Sequence, residues 1–113
     1  MMTRSMRFIR FGLPTACLIG LSLAAGAATV HRVDQYGRAF LFAKIDIARG
    51  DTIHFVNDDP FLHQIYVHAR DFNFDSDEQP PGQSVDVTFS TAGRFDVQCH
   101  IHPLMHLVVN VRN

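Results

Sequence analysis

The sequence predicts an all-β fold, an antiparallel sandwich of about seven or eight short strands. Three observations carry that prediction. Apolar and polar residues alternate with period two over several stretches, turn residues interrupt those stretches at close intervals, and no stretch reads as a helix.

Residues 1–28 stand apart from this pattern. Met1 to Arg10 carries Arg4, Arg7 and Arg10 with no acid, Phe11 to Ala24 is apolar, and Ala25-Gly26-Ala27 offers small residues for cleavage. A charged start, an apolar middle and a small-residue end describe a secretory signal peptide. Gly12, Pro14, Gly20 and Ser22 interrupt the apolar run, which is short for a bilayer span, so cleavage near Ala27 or Ala28 is favoured over a retained anchor. Pro14-Thr15-Ala16 fits lipid attachment at Cys17 poorly. The mature domain is expected to span residues 29–113, to be periplasmic or otherwise exported, and to have no membrane attachment.

Along that domain, Val30 to Tyr36 has the mixed polarity of an edge strand and Gly37 marks a turn. Ile45 and Ile47 share a face, Arg49-Gly50-Asp51 turns, and Ile53 and Phe55 resume with Thr52, His54 and Val56 opposite. Asn57-Asp58-Asp59-Pro60 is a dense turn cluster. Beyond it His63, Ile65 and Val67 have one parity and Gln64, Tyr66 and His68 the other, which turns His63 inward. Arg70 to Gln83 reads as a long acidic loop, within which Phe72 and Phe74 cap one end of the core. Its acids lack the spacing of a calcium loop, so a solvated surface is the favoured reading. Val85, Val87 and Phe89 alternate next, Ala92-Gly93 turns, and Phe95, Val97 and Cys99 share the inward face of a strand. Leu107, Val109 and Val111 form the last strand, with Val108 on its other face.

Composition narrows the function. Without its first 28 residues the chain has seven basic residues against eleven acids, a charge of −4 with His neutral, which disfavours nucleic acid as a partner. Cys99 is then the only cysteine, so no internal disulfide can form, and a lone thiol in an oxidising compartment is exposed to modification unless a metal holds it. A domain of about 85 residues buries roughly 60 to 68% of its unfolded surface. Its stability is modest, and a metal bound only by the folded form raises it.

The chemistry concentrates in Phe95 to His106, F-D-V-Q-C-H-I-H-P-L-M-H, where Cys99, His102 and Met105 stand three residues apart in turn. Thiolate and thioether are soft donors and imidazole binds copper well. Two His and one Cys in a plane with a weakly held axial Met form a blue electron-transfer site. His63 is the expected second histidine: it begins one strand while Cys99 ends another, and antiparallel neighbours bring both inward residues to one end of the sandwich. Asn57, Gln64 and His100 are candidates to orient these ligands.

On these residues the chain resembles the cupredoxins, the small blue copper proteins. The resemblance is closest to the amicyanin, plastocyanin and pseudoazurin branch, and most of all to amicyanin in the short Cys99-x-x-His102-Pro103-x-Met105 loop. It extends over Ile45-Asp46-Ile47, Gly50-Asp51-Thr52, Phe55-Val56-Asn57, Phe74-Asp75-Ser76, Pro81-Gly82 with Ser84, and Phe89, Gly93 and Phe95 ahead of Cys99. It implies a Greek-key sandwich holding one copper ion on His63, Cys99, His102 and Met105. It also implies an electron carrier, not an enzyme: a monomer that meets donor and acceptor proteins transiently near His102, Pro103 and Leu104. Gln64 stands where the family commonly has Asn, and His100 where it has Ser or Thr, which removes the usual side-chain tie between ligand loops. A backbone N–H from residue 64 to the sulfur is the remaining tie.

Rival readings stay open at this stage. A copper chaperone or storage protein uses the same donors. Zinc on Cys99, His102, His106 and His63 is disfavoured by Met105, and an inert sandwich with a buried cysteine is the bland case. His106 adjoins Met105 as an alternative axial donor. His31, His54 and His68 read as ordinary outward positions, and a second, weaker copper site among His100, His106 or His68 has room to form without being predicted.

Overall fold

The computed structural model describes Phe11, Gly12, Pro14, Thr15, Gly20 and residues 26–113. Most of the expected signal peptide lies outside the described residues. No helix among the described residues is long and apolar enough to cross a membrane.

Eight strands form: β1 (Val30–Gln35), β2 (Lys44–Ala48), β3 (Thr52–Asn57), β4 (Ile65–His68), β5 (Asn73–Asp75), β6 (Ser84–Thr88), β7 (Gly93–Cys99) and β8 (His106–Arg112). They make a three-stranded sheet ordered β1-β3-β6 and a five-stranded sheet ordered β2-β8-β7-β4-β5. The period-two pattern is realised directly. In β3, Ile53, Phe55 and Asn57 are buried while Thr52, His54 and Val56 are only partly so, and in β7 Phe95, Val97 and Cys99 point inward. The inner faces enclose one core that includes Ile47, Phe55, Ile65, Phe89, Val97 and Leu107. Each such aliphatic or aromatic side chain contributes about 1.5–3 kcal/mol by leaving water.

Two features exceed the sequence reading. The β1–β3 and β2–β8 pairs run parallel, the other four antiparallel. The stretch expected to be irregular contains β5, which pairs antiparallel with β4. Three residues with Asn and Asp flanking a single Phe are too short and too polar to show a strand period. Phe72 caps the core as expected, its ring centroid 5.1 Å from Phe89 and 5.3 Å from Phe95. That aromatic cluster sits near the start of β7. Cys99 closes the other end of the same strand, where Ile65 pairs with it across β4.

Candidate metal centre

At the Cys99 end, main-chain bonds fix the segments that carry the donors. His63 N–H donates to Gln79 O at 3.1 Å and Gln79 N–H to His63 O at 2.7 Å, pinning the approach to β4. Asn57, the last buried residue of β3, clamps the turn between: its Nδ2 donates to Phe61 O and Gln79 O, each at 2.8 Å, and its Oδ1 accepts from Asp59 N–H. After Cys99 the chain turns at once, with His100 N–H donating to Gln64 O at 2.9 Å and Met105 N–H to His102 O at 3.0 Å. The loop is short because β8 must begin at His106, in register with Gln98.

Three of the expected donors meet there. Cys99 Sγ lies 3.8 Å from His63 Nδ1 and 3.8 Å from His102 Nδ1, and the two nitrogens are 3.2 Å apart. The point equidistant from the corners of that triangle is about 2.1 Å from each, close to metal–nitrogen distances of about 2.0–2.1 Å and metal–sulfur distances of about 2.3 Å. A metal ion therefore fits among these atoms without moving the backbone. Met105 is buried in the same loop. His106 is exposed, and the His100 ring faces away from Cys99, bonded to Asp75.

Gln64 acts through its main chain. Its N–H points to Cys99 Sγ at 3.5 Å, while its side-chain Nε2 donates to Ser76 O at 3.1 Å and does not bridge the ligand loops. The ties between those loops are that N–H to the sulfur and the His100–Gln64 backbone bond.

Asp59 is the residue that sequence reasoning missed. Its buried Oδ2 lies 2.7 Å from His63 Nε2. A carboxylate can only accept, so Nε2 carries the imidazole proton and Nδ1 keeps its lone pair toward Sγ. Asp59 also accepts the amides of Gly37 and Arg38. Both residues have left-handed φ, 66° and 54°, so two consecutive N–H groups converge on the carboxylate as an anion nest. Burial alone would raise the Asp59 carboxyl, but the Arg38 amide, the His63 ring and the Gly37 amide together hold it below the usual range. Such a carboxylate–histidine pair fixes ring orientation at a metal site. Only the Gly37 turn and the acid four residues before His63 hinted at it.

His102 is the outermost of the three donors. Burial first, then repulsion from His63 and Arg38, holds its imidazole below the ordinary value and so favours the neutral, metal-binding form. Phe61 packs edge-on against it at 6.3 Å between ring centroids, and the Arg38 guanidinium sits 4.0 Å above the Phe61 ring. Gly37, Arg38, His102, Pro103 and Leu104 line an open groove beside it.

The chain as a whole is similar to known proteins. The profile of the copper binding proteins of the plastocyanin/azurin family matches residues 27–112. The methylamine utilization protein MauL of Methylorubrum extorquens is 32% identical over 84 residues, covering 74% of this chain and 69% of MauL. Chloroplastic plastocyanin of Physcomitrium patens is 29% identical over 92 residues, 73% of this chain, which spans only about half of that relative, 55%. Among solved structures, a reduced amicyanin variant superposes with a TM-score of 0.69 at 24% identity, over 79% of this chain and 88% of its own.

Proposed function

Because the chain belongs to the plastocyanin/azurin family of copper binding proteins, we propose that it carries single electrons between partner proteins, with His63, Cys99, His102 and Met105 as the ligands of one copper ion. The observation that carries this reading is the triangle of one sulfur and two nitrogens, sized for a metal and made of donors that suit copper. Copper held there supplies a one-electron couple at a centre whose surroundings favour neither valence strongly.

The chain's own residues do the rest. Asp59 and its amide nest hold His63 in one tautomer, the Gln64 N–H points to the sulfur, and the closed main-chain bonds of residues 57–63 and 99–105 keep the donors from rearranging. With Met105 as the fourth donor no position is left open for a substrate, which favours a carrier over an enzyme. His102 reaches the surface beside the exposed apolar side chains of Phe61 and Leu104, and the neighbouring Leu62 and Ile101 are exposed as well. A small apolar rim around a ligand edge suits brief docking of donor and acceptor near His102, Pro103 and Leu104. In this reading residues 1–28 are a signal peptide, and residues 29–113 work as a monomer in the periplasm or an equivalent exported compartment.

Absorption and spin-resonance spectra of copper-loaded residues 29–113 test the proposal. An intense visible thiolate-to-copper band with reversible one-electron cycling is expected. A colourless protein that yields copper(I) readily to a chelator would replace electron transfer with copper delivery or storage. Met105→Leu should keep the band and shift the reduction potential; an unchanged potential would remove Met105 from the ligand set.

A further inference from the structure

We propose a second metal site on the outer face of the five-stranded sheet, where His68, Asp75 and His100 take one divalent cation of borderline softness, zinc(II) or copper(II), with water completing its coordination. The three residues lie on or beside three adjacent strands. His68 ends β4, Asp75 ends β5, and His100 directly follows β7. The ladder pairs Tyr66 with Asp75 on one side and with Gln98 on the other, which brings all three side chains to one patch.

Their donor atoms face one another. His100 Nε2 is 3.1 and 3.2 Å from the two Asp75 carboxylate oxygens, and His68 Nε2 is 3.5 Å from Oδ2. All three donors lie within 4.8 Å of one another. Two ligands each about 2.0–2.1 Å from one ion, at tetrahedral or octahedral angles, are about 2.9–3.4 Å apart. The two edges to Asp75 already approach that spacing and the third lies within 4.8 Å, so an ion can replace the hydrogen bonds with side-chain adjustments.

Tyr66 holds the imidazoles in place. Its ring stacks on His100 at 3.9 Å and 15°, lies 4.7 Å from the His68 ring, and is anchored by its hydroxyl donating to Gln98 Oε1 at 3.0 Å. Two neutral imidazoles and a carboxylate suit zinc(II) and copper(II), and the absence of a sulfur donor disfavours copper(I). The site is open: its side chains are 58%, 49% and 37% exposed for His68, Asp75 and His100. It therefore binds more weakly than a buried site and leaves room for water ligands.

The test titrates zinc(II) into the mature protein with its buried centre filled by copper(I), following the histidine ring NMR signals. His68 and His100 signals should shift and saturate at about one equivalent while those of His31 and His54 stay put. His68→Ala and Asp75→Asn should each weaken zinc binding by at least the ~10-fold lower bound for losing even an outer-sphere partner, and His54→Ala should leave it unchanged. Unmoved His68 and His100 signals, or zinc affinity in the His68 and Asp75 variants equal to that of the parent, would overturn the proposal. Zinc binding in a protein whose oxidised copper form lacks the visible band would uphold this site and defeat the electron-transfer reading. The band without zinc binding would do the reverse.

Discussion

The inward and outward faces of β4 and β7 make a controlled comparison, because adjacent residues of the same strands, and of the segments flanking them, supply two clusters that each contain two histidines. Inward, His63, Cys99 and His102 are joined by a buried carboxylate with its own amide nest. Outward, His68 and His100 share a half-exposed carboxylate, steadied by one tyrosine ring. The sheet alternation is identical, so the contrast comes from burial and from the third donor. Burial turns Asp59 from a weak surface partner into a fixed orienting group, since an exposed pair is worth about 0–1 kcal/mol whereas a buried donor or acceptor left unsatisfied costs about 1–3 kcal/mol, more when it is charged.

The largest expected effect separates the faces by one residue. Cys99→Ala should abolish the visible copper band and remove the rise in melting temperature on copper loading, whereas His100→Ala should retain both. A coloured Cys99→Ala protein would refute thiolate ligation. Next comes the same substitution made at the two carboxylates. Asp59→Asn leaves the Gly37 and Arg38 amides and the buried His63 ring without a full set of acceptors, and should destabilise the apo fold by about 2–4 kcal/mol and weaken copper binding ~10–100-fold. Asp75→Asn, at the exposed cluster, should stay within about 0.5 kcal/mol of the parent in denaturant unfolding. Equal effects would erase the distinction between the faces.

The smallest effect concerns a third carboxylate–histidine pair of intermediate exposure. The Thr29 amide first, then the His31 ring and the Ala48 amide, lower Asp51 to about 2. A carboxyl whose folded value lies below its unfolded value of about 3.9 stabilises the fold above that unfolded value, and the contribution is lost as pH falls toward about 2. Stability should therefore decline between about pH 4 and 2 less steeply in Asp51→Asn than in the parent, as read by denaturant midpoints across that range. Parallel profiles would show that the Asp51 contacts do not differ between the folded and unfolded chains.

What could be read from the sequence follows from the range of the forces involved. Period-two burial is local, so the inward parity of His63 and Cys99 was legible, and so was the 99–105 loop. The partnership of Asp59 was not: it depends on the Gly37–Arg38 turn, some twenty residues earlier, folding its amides against the Asn57–Pro60 turn. A turn cluster looks the same whether its acids face water or a neighbouring loop. The parallel pairings of β1 and β2 were hidden for a similar reason, since strand direction is set by long connections and not by any pattern within the strand. His100 and His68 read as separate outward residues because neither shows, in one dimension, that β5 brings Asp75 between them.

The N–H of Gln64 directed at Cys99 Sγ has a further consequence for which sequences this architecture tolerates. Because the donor is main chain, the identity of residue 64 is decoupled from the sulfur, and any amino acid except proline can serve. The freed amide side chain braces the Ser76 carbonyl instead. A position that touches the most reactive atom of the molecule is thereby left open to drift.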